Sequence, residues 1–172
     1  MSLRSSSNRY GKVAVSIHWL SALAVILMLW SGLAMDNNDD LVGTLLPWHV
    51  APGVVVGVLS LFRIVWWLAF DKHPAPQQGI SRLQARLAQI VHLGLYVAIV
   101  VMVASGIAML ALSGAAPAIF GSGPLPKFDD LAPYAAHALV SRLLIAMALG
   151  HIGAALFHQF IKRDRLIRRM MP

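Results

Sequence analysis

The sequence predicts an all-α protein, a four-helix transmembrane bundle with both termini on the cytoplasmic side. Three observations predict it: four long apolar stretches, a shortage of charge, and an uneven placement of the charge there is. Of the 172 residues, 58% are hydrophobic and only 12% charged. A soluble domain carries about 25% charged residues, so this chain lacks the groups that would cover a water-facing surface, and a single soluble core is excluded.

A hydrocarbon layer about 30 Å thick takes roughly 20 apolar residues per helix. Val13–Met35, Pro47–Phe70, Leu87–Leu112 and Pro133–Ile161 each meet that length. The first follows Arg4, Arg9 and Lys12 as a secretory signal would. Its length, and an acidic turn in place of a small-residue cleavage pattern, favour a retained helix. The second comes after the polar run Asp36 to Asp40 and carries Gly53-Val-Val-Val-Gly57, a spacing that lets helix backbones approach. The third enters after the polar, proline-containing run Asp71 to Gly79. The fourth follows a connection with glycine and proline clustered around Gly121 to Pro126, and is long enough to tilt or to extend into the interface. Trp19, Trp48, Trp66 and Trp67 near the span ends read as interfacial anchors. With no soluble domain and no internal repeat, residues 1–172 read as one domain.

Charge sets the direction, because cytoplasmic flanks collect Lys and Arg. The N-terminal tail has Arg4, Arg9 and Lys12, the second connection Lys72, Arg82 and Arg86, and the C-terminal tail Lys162, Arg163, Arg165, Arg168 and Arg169. The first and third connections hold Lys127 against Asp36, Asp39, Asp40, Asp129 and Asp130, a net charge of −4. Both termini are therefore expected in the cytoplasm. The overall +7 sits where phospholipid headgroups lie, so membrane lipid and not nucleic acid is the expected partner. Arg63 and Arg142 fall inside spans, where a cation needs a counter-charge or a route to the interface.

The chain has no cysteine, which excludes disulfides, iron–sulfur clusters, thiolate zinc sites and covalently attached c-type haem. Seven histidines remain as metal donors. His137 and His151 are fourteen residues apart, close to four turns, so both point to one side of the last helix about 21 Å apart along its axis. That is the separation expected of two haems stacked across a bilayer. His49 matches the depth of His137 on the outer side, and His18 that of His151 on the inner side. The chain thus supplies two bis-histidine pairs, as two b-type haems require. Arg63 lies at the inner depth and Arg142 at the outer, where each can pair a haem propionate. Gly150 and Gly153 flank His151, where a flat macrocycle needs room. His92 and His158 also lie toward the cytoplasmic side, and either is an alternative to His18 in the inner pair. His73, beside Pro74, reads as a solvated loop residue.

Several segments together resemble the prokaryotic cytochrome b561 family. They are Arg9-Tyr10 followed by SIHWL around His18, WHV around His49 with Gly53 behind it, LFRIVWWL with Arg63, VHLGLY around His92, His137 ahead of GHIGAALFH, and the tail LIRRMMP. The resemblance covers nearly the whole chain. It implies a dihaem electron-transfer protein of the bacterial inner membrane, with His18 and His151 on one haem and His49 and His137 on the other, and with ubiquinone as a partner. In the family's superoxide-oxidising members it also implies superoxide as the donor on the periplasmic side. Quinone reduction consumes protons, and His158 and His92, with Arg82 and Lys72 in the adjoining loop, are the expected quinone site at the cytoplasmic end. The acidic outer connections would repel an anionic donor. They suit a second reading, a membrane anchor or electron relay for a separate dehydrogenase or periplasmic redox protein. A third reading, a transporter or assembly protein with histidine proton relays, predicts no haem.

Overall fold

The computed structural model describes residues 2–75, 79–119, 121 and 124–171. Positions 76–78 of the second connection, and 120, 122 and 123 of the third, lie outside the described residues. Among the described residues every regular element is helical: α1 (Lys12–Asn37), α2 (Val42–Val65), α3 (Arg82–Ser113), the one-turn α4 (Ala116–Ile119) and α5 (Ala132–Leu156). Wider π turns prolong α2 over Trp66–Phe70 and α5 over Phe157–Lys162. Short 3-10 turns cover Asp39–Leu41 and Leu166–Met170. Four helices, counted with their extensions, are long and apolar enough to cross a membrane.

The helices outrun the apolar stretches, for local reasons. Asn38 accepts a hydrogen bond from the Asp40 amide and tightens the turn, so α2 starts at Val42 and leaves Pro47 and Pro52 inside it. A proline in a membrane helix is tolerated because neighbouring groups re-satisfy the backbone it frees. α3 starts at Arg82 because Ser81 and Gln84 form a capping box, and it ends at Gly114 in the left-handed conformation at φ 67°. Pro133 sits in the first turn of α5, where its missing N–H costs nothing.

α1 packs on α2, α3 packs on α5, and α2 joins the two pairs through α3. Small residues make the seams. A Cβ on Gly53 would stand 3.0 Å from Met28 of α1, one on Gly57 3.1 Å from Val103 of α3, and one on Gly94 3.0 Å from Met147 of α5. Few large side chains are buried, while Leu, Val and Ile cover the exposed helix faces, as a bundle surrounded by hydrocarbon requires. Three of the buried residues are serines, Ser31, Ser60 and Ser105.

Both termini and the second connection are knitted together at one end. Ser5 donates from its amide and hydroxyl to Asp71, and the Ala75 amide donates to Ser7 at 2.8 Å. Tyr10 donates to the carbonyl of Arg169, Trp19 Nε1 to that of Met170, and Arg9 to that of Met171. Partial burial alone would raise the Asp71 pKa. The bonds from Ser5, the Lys72 amide and Trp66 outweigh that and hold it below the ordinary aspartate value. This contact is therefore fully formed at neutral pH and is lost only as the pH falls through that lowered value.

Candidate functional site

Four histidines face one another in two pairs across the seam between the helix pairs. At the end away from the termini, the His49 ring of α2 faces the His137 ring of α5, centroids 6.3 Å apart and planes at 65°. At the terminal end, His18 of α1 faces His151 of α5, with centroids 6.5 Å apart and the same interplanar angle of 65°. An imidazole nitrogen binds a metal at about 2.0–2.1 Å and lies about 1.1 Å from its ring centre, so two imidazoles on opposite sides of one metal stand about 6.3 Å apart. Both pairs have that spacing. His92 of α3 joins the terminal-end cluster, but its ring lies 5.2 Å from that of His151, about 1 Å too close for a metal between them.

At the far-end pair the ring orientation is imposed by serines. Ser31 Oγ lies 2.8 Å from His49 Nδ1 and 3.1 Å from the Met28 carbonyl. Ser105 Oγ lies 2.9 Å from His137 Nδ1 and 2.7 Å from the Val101 carbonyl. A hydroxyl has one proton, and a carbonyl can only accept. Each serine therefore donates to its own helix and accepts from the histidine, which puts the ring proton on Nδ1 and leaves the Nε2 lone pair for a metal. The neighbouring residues are glycines, Gly32 and Gly106, and a Cβ there would stand 3.4 Å from His49 Cε1 and 3.7 Å from His137 Cε1. The sequence reading missed both serines. The signal was there, as a Ser-Gly dipeptide in each of two apolar helices.

The terminal-end pair is held differently. Arg63 donates to His18 Nδ1 over a long 3.4 Å, its guanidinium lies 5.5 Å from the Tyr96 ring centre, and its Nε is buried without a hydrogen-bond partner. A carboxylate placed there would satisfy Arg63, release His18 Nδ1 to carry the proton, and free Nε2 for a metal. A Cβ on Gly150 or Gly153 would meet nothing within 4 Å, so the backbone beside His151 is open to a flat ligand. Among the described residues no cluster of three or more His, Cys, Asp or Glu could hold a bare metal ion. Paired imidazoles, an unsatisfied buried cation and open glycine faces together fit haem, whose own ring supplies the equatorial donors.

The remaining expected residues are placed as follows. Arg142 pairs with Asp36 at 3.5 Å on a largely exposed surface of the far end. Lys72 and Arg82 are exposed at the terminal end. His158 is half-buried there and its Nδ1 bonds to Asp164. His73 is an exposed residue of the second connection, as expected, and its ring also stacks on Trp67, centroids 3.9 Å apart. Burial and then the charge of Arg63 hold His73 below the ordinary histidine pKa, with Asp71 opposing.

An all-helical membrane protein whose spans present paired histidines at two depths has the makings of a cytochrome b. The chain belongs to the prokaryotic cytochrome b561 family, which it matches over residues 9–172. It is 27% identical to cytochrome b561 homolog 2 of Escherichia coli (strain K12), over 99% of this chain and 95% of that one. It is equally 27% identical to the probable superoxide oxidase CybB of Yersinia pestis, over 95% of this chain and 96% of that one. Cytochrome b562 of Cereibacter sphaeroides is 26% identical over 94% of each. The protein is a multi-pass inner-membrane protein of a family that binds haem b and transfers electrons.

Proposed function

We propose that the chain binds two b haems, one between His49 and His137 and one between His18 and His151, and carries electrons across the membrane to ubiquinone. The observation that carries this reading is the pair of facing imidazole couples, one at each end of α5, each at the spacing of two ligands on one metal. The bound haems supply one-electron transfer between the two depths. Arg63 holds a propionate beside the inner pair, and Arg142, already paired with Asp36, offers a second cation at the outer pair. Both termini face the cytoplasm, as the Lys and Arg count of the flanks requires. His158 and His92, with Lys72 and Arg82 at the rim, form the quinone end.

Superoxide on the periplasmic side is the donor favoured by the family resemblance and by the name of the Yersinia pestis relative. Two superoxide anions would give up two electrons, released as two molecules of oxygen, and with two protons would convert one quinone to quinol. The test is superoxide-dependent ubiquinone reduction by the purified haem-loaded protein. Haem reduction and quinol formation are expected to follow superoxide generation and to stop on adding superoxide dismutase. Haem that stays oxidised under superoxide but is reduced by a periplasmic redox protein would establish the relay reading instead. That reading is favoured by the exposed Asp39, Asp40, Asp129 and Asp130, a surface suited to a basic protein. A purified protein without haem absorbance would support the transporter reading.

Two haems held by these four imidazoles would have no coordination position left for a small ligand. The reduced protein is therefore expected to give low-spin spectra that carbon monoxide does not change, checked by difference spectroscopy on fresh protein. A rapid carbon monoxide adduct would reveal a missing ligand.

A further inference from the structure

Asp164 is the partner of His158 at the terminal end, and the backbone is bent to place it there. After the π turn Phe157–Lys162, Arg163 (φ 55°) and Arg165 (φ 60°) both adopt the left-handed conformation, on either side of Asp164. They are the two non-glycine residues with positive φ among the described residues. A side chain with a Cβ resists that conformation, and such strain persists only where surrounding contacts enforce it. The contacts here are specific. The Asp164 amide donates to the His158 carbonyl at 3.2 Å, Asp164 Oδ1 accepts from the Leu166 amide at 3.2 Å, and Oδ2 faces His158 Nδ1. The His158 and Asp164 side chains are 15% and 23% exposed, so the pair is shielded but in reach of water.

Resting on the quinone end proposed above, we infer that Asp164 is a positioning residue for proton delivery: it takes the Nδ1 proton of His158 and leaves Nε2 as the position that gives and regains the mobile proton. A ring held at Nδ1 by a carboxylate cannot flip or change tautomer freely, so the proton at Nδ1 and the exchangeable position at Nε2 are both fixed in place. Reduction of a quinone to quinol takes two electrons and two protons. The bound haems would supply the electrons. For each proton, the Nε2–H bond of cationic His158 breaks as an O–H bond forms on the quinone, and neutral His158 then takes a proton from cytoplasmic water. The other charged groups of the adjoining turns are Lys162, Arg163, Arg165 and Arg168, all exposed, and Arg169, whose side chain donates to the carbonyls of Asn8 and Ala75.

The test uses the haem-loaded protein carrying Asp164→Asn, with Asp164→Ser as a second variant. Selective 15N labelling of histidine should show His158 protonated at Nδ1 in the parent and mixed tautomers in both variants. Haem content and donor-driven haem reduction should be unchanged. Quinone turnover should fall at least about tenfold, the low end for losing a placed general acid being larger still. Asp164→Glu should restore both the single tautomer and the turnover. If His158→Ala slows turnover while the Asp164 variants keep the parental rate and the parental tautomer, the role of Asp164 is overturned and the quinone end stands. If the Asp164 variants lose haem or yield with no change in the His158 tautomer, Asp164 is structural only and the inference fails. If His158→Ala and His92→Ala both leave turnover unchanged, the quinone end is misplaced and this inference falls with it.

Discussion

Replacing His137 or His49 by alanine is expected to remove one b haem and leave the other, and replacing His18 or His151 is expected to remove the complementary one. The expectation follows from geometry. Each histidine faces a single partner at bis-imidazole spacing, and α5 contributes one histidine to each pair from positions about 21 Å apart along its axis. Losing one imidazole of a pair would leave its haem with a single protein donor, so the affected haem should dissociate during purification. Haemochrome analysis should give two haems per chain in the parent and one in each variant, and transmembrane electron transfer should be abolished in all four. His92→Ala is the decisive control, because its ring also neighbours His151. Two haems retained in His92→Ala would uphold the pairing with His18. Loss of a haem there, with both retained in His18→Ala, would reassign the inner ligand.

The four spans were legible because the hydrocarbon thickness imposes a length that hydropathy alone reveals. The starts of the second and third were not, while the other ends fall within two residues of the expected ones. α2 starts upstream of Pro47 because a side-chain turn at Asn38 closes the connection early, and α3 starts upstream of Leu87 because Ser81 and Gln84 cap it. Apolar content says nothing about either device. The histidine spacing on α5 was legible because fourteen residues on a helix define a direction and a distance without a partner. Ser31 and Ser105 escaped notice because a serine in an apolar helix reads as a small packing residue, and the imidazole it orients comes from another helix. Asp164 was hidden for a different reason: the reversal that brings it to His158 is made by two arginines, where a sequence signal would need glycine or asparagine.

Ser31→Ala and Ser105→Ala are each expected to weaken retention of the haem proposed for His49 and His137 by about 10–100-fold, the usual effect of deleting a group that orients a metal ligand. Each serine accepts the Nδ1 proton of its histidine while donating to its own helix backbone, so it sets both the tautomer and the ring angle. Alanine would leave a buried Nδ1–H without an acceptor and would let the ring rotate away from the metal. The surviving bond would also be weaker, because a hydrogen bond at Nδ1 makes Nε2 a better donor. A poorer donor stabilises oxidised iron less, so the potential of the haem that remains should rise. The haem proposed for His18 and His151 serves as the internal control, since neither serine touches that pair. The measurements are haem transfer to an apo-globin acceptor and a redox titration resolved into two components. Parental retention and an unmoved potential in both variants would mean that the two hydroxyls only fill space, and that the helices alone aim His49 and His137.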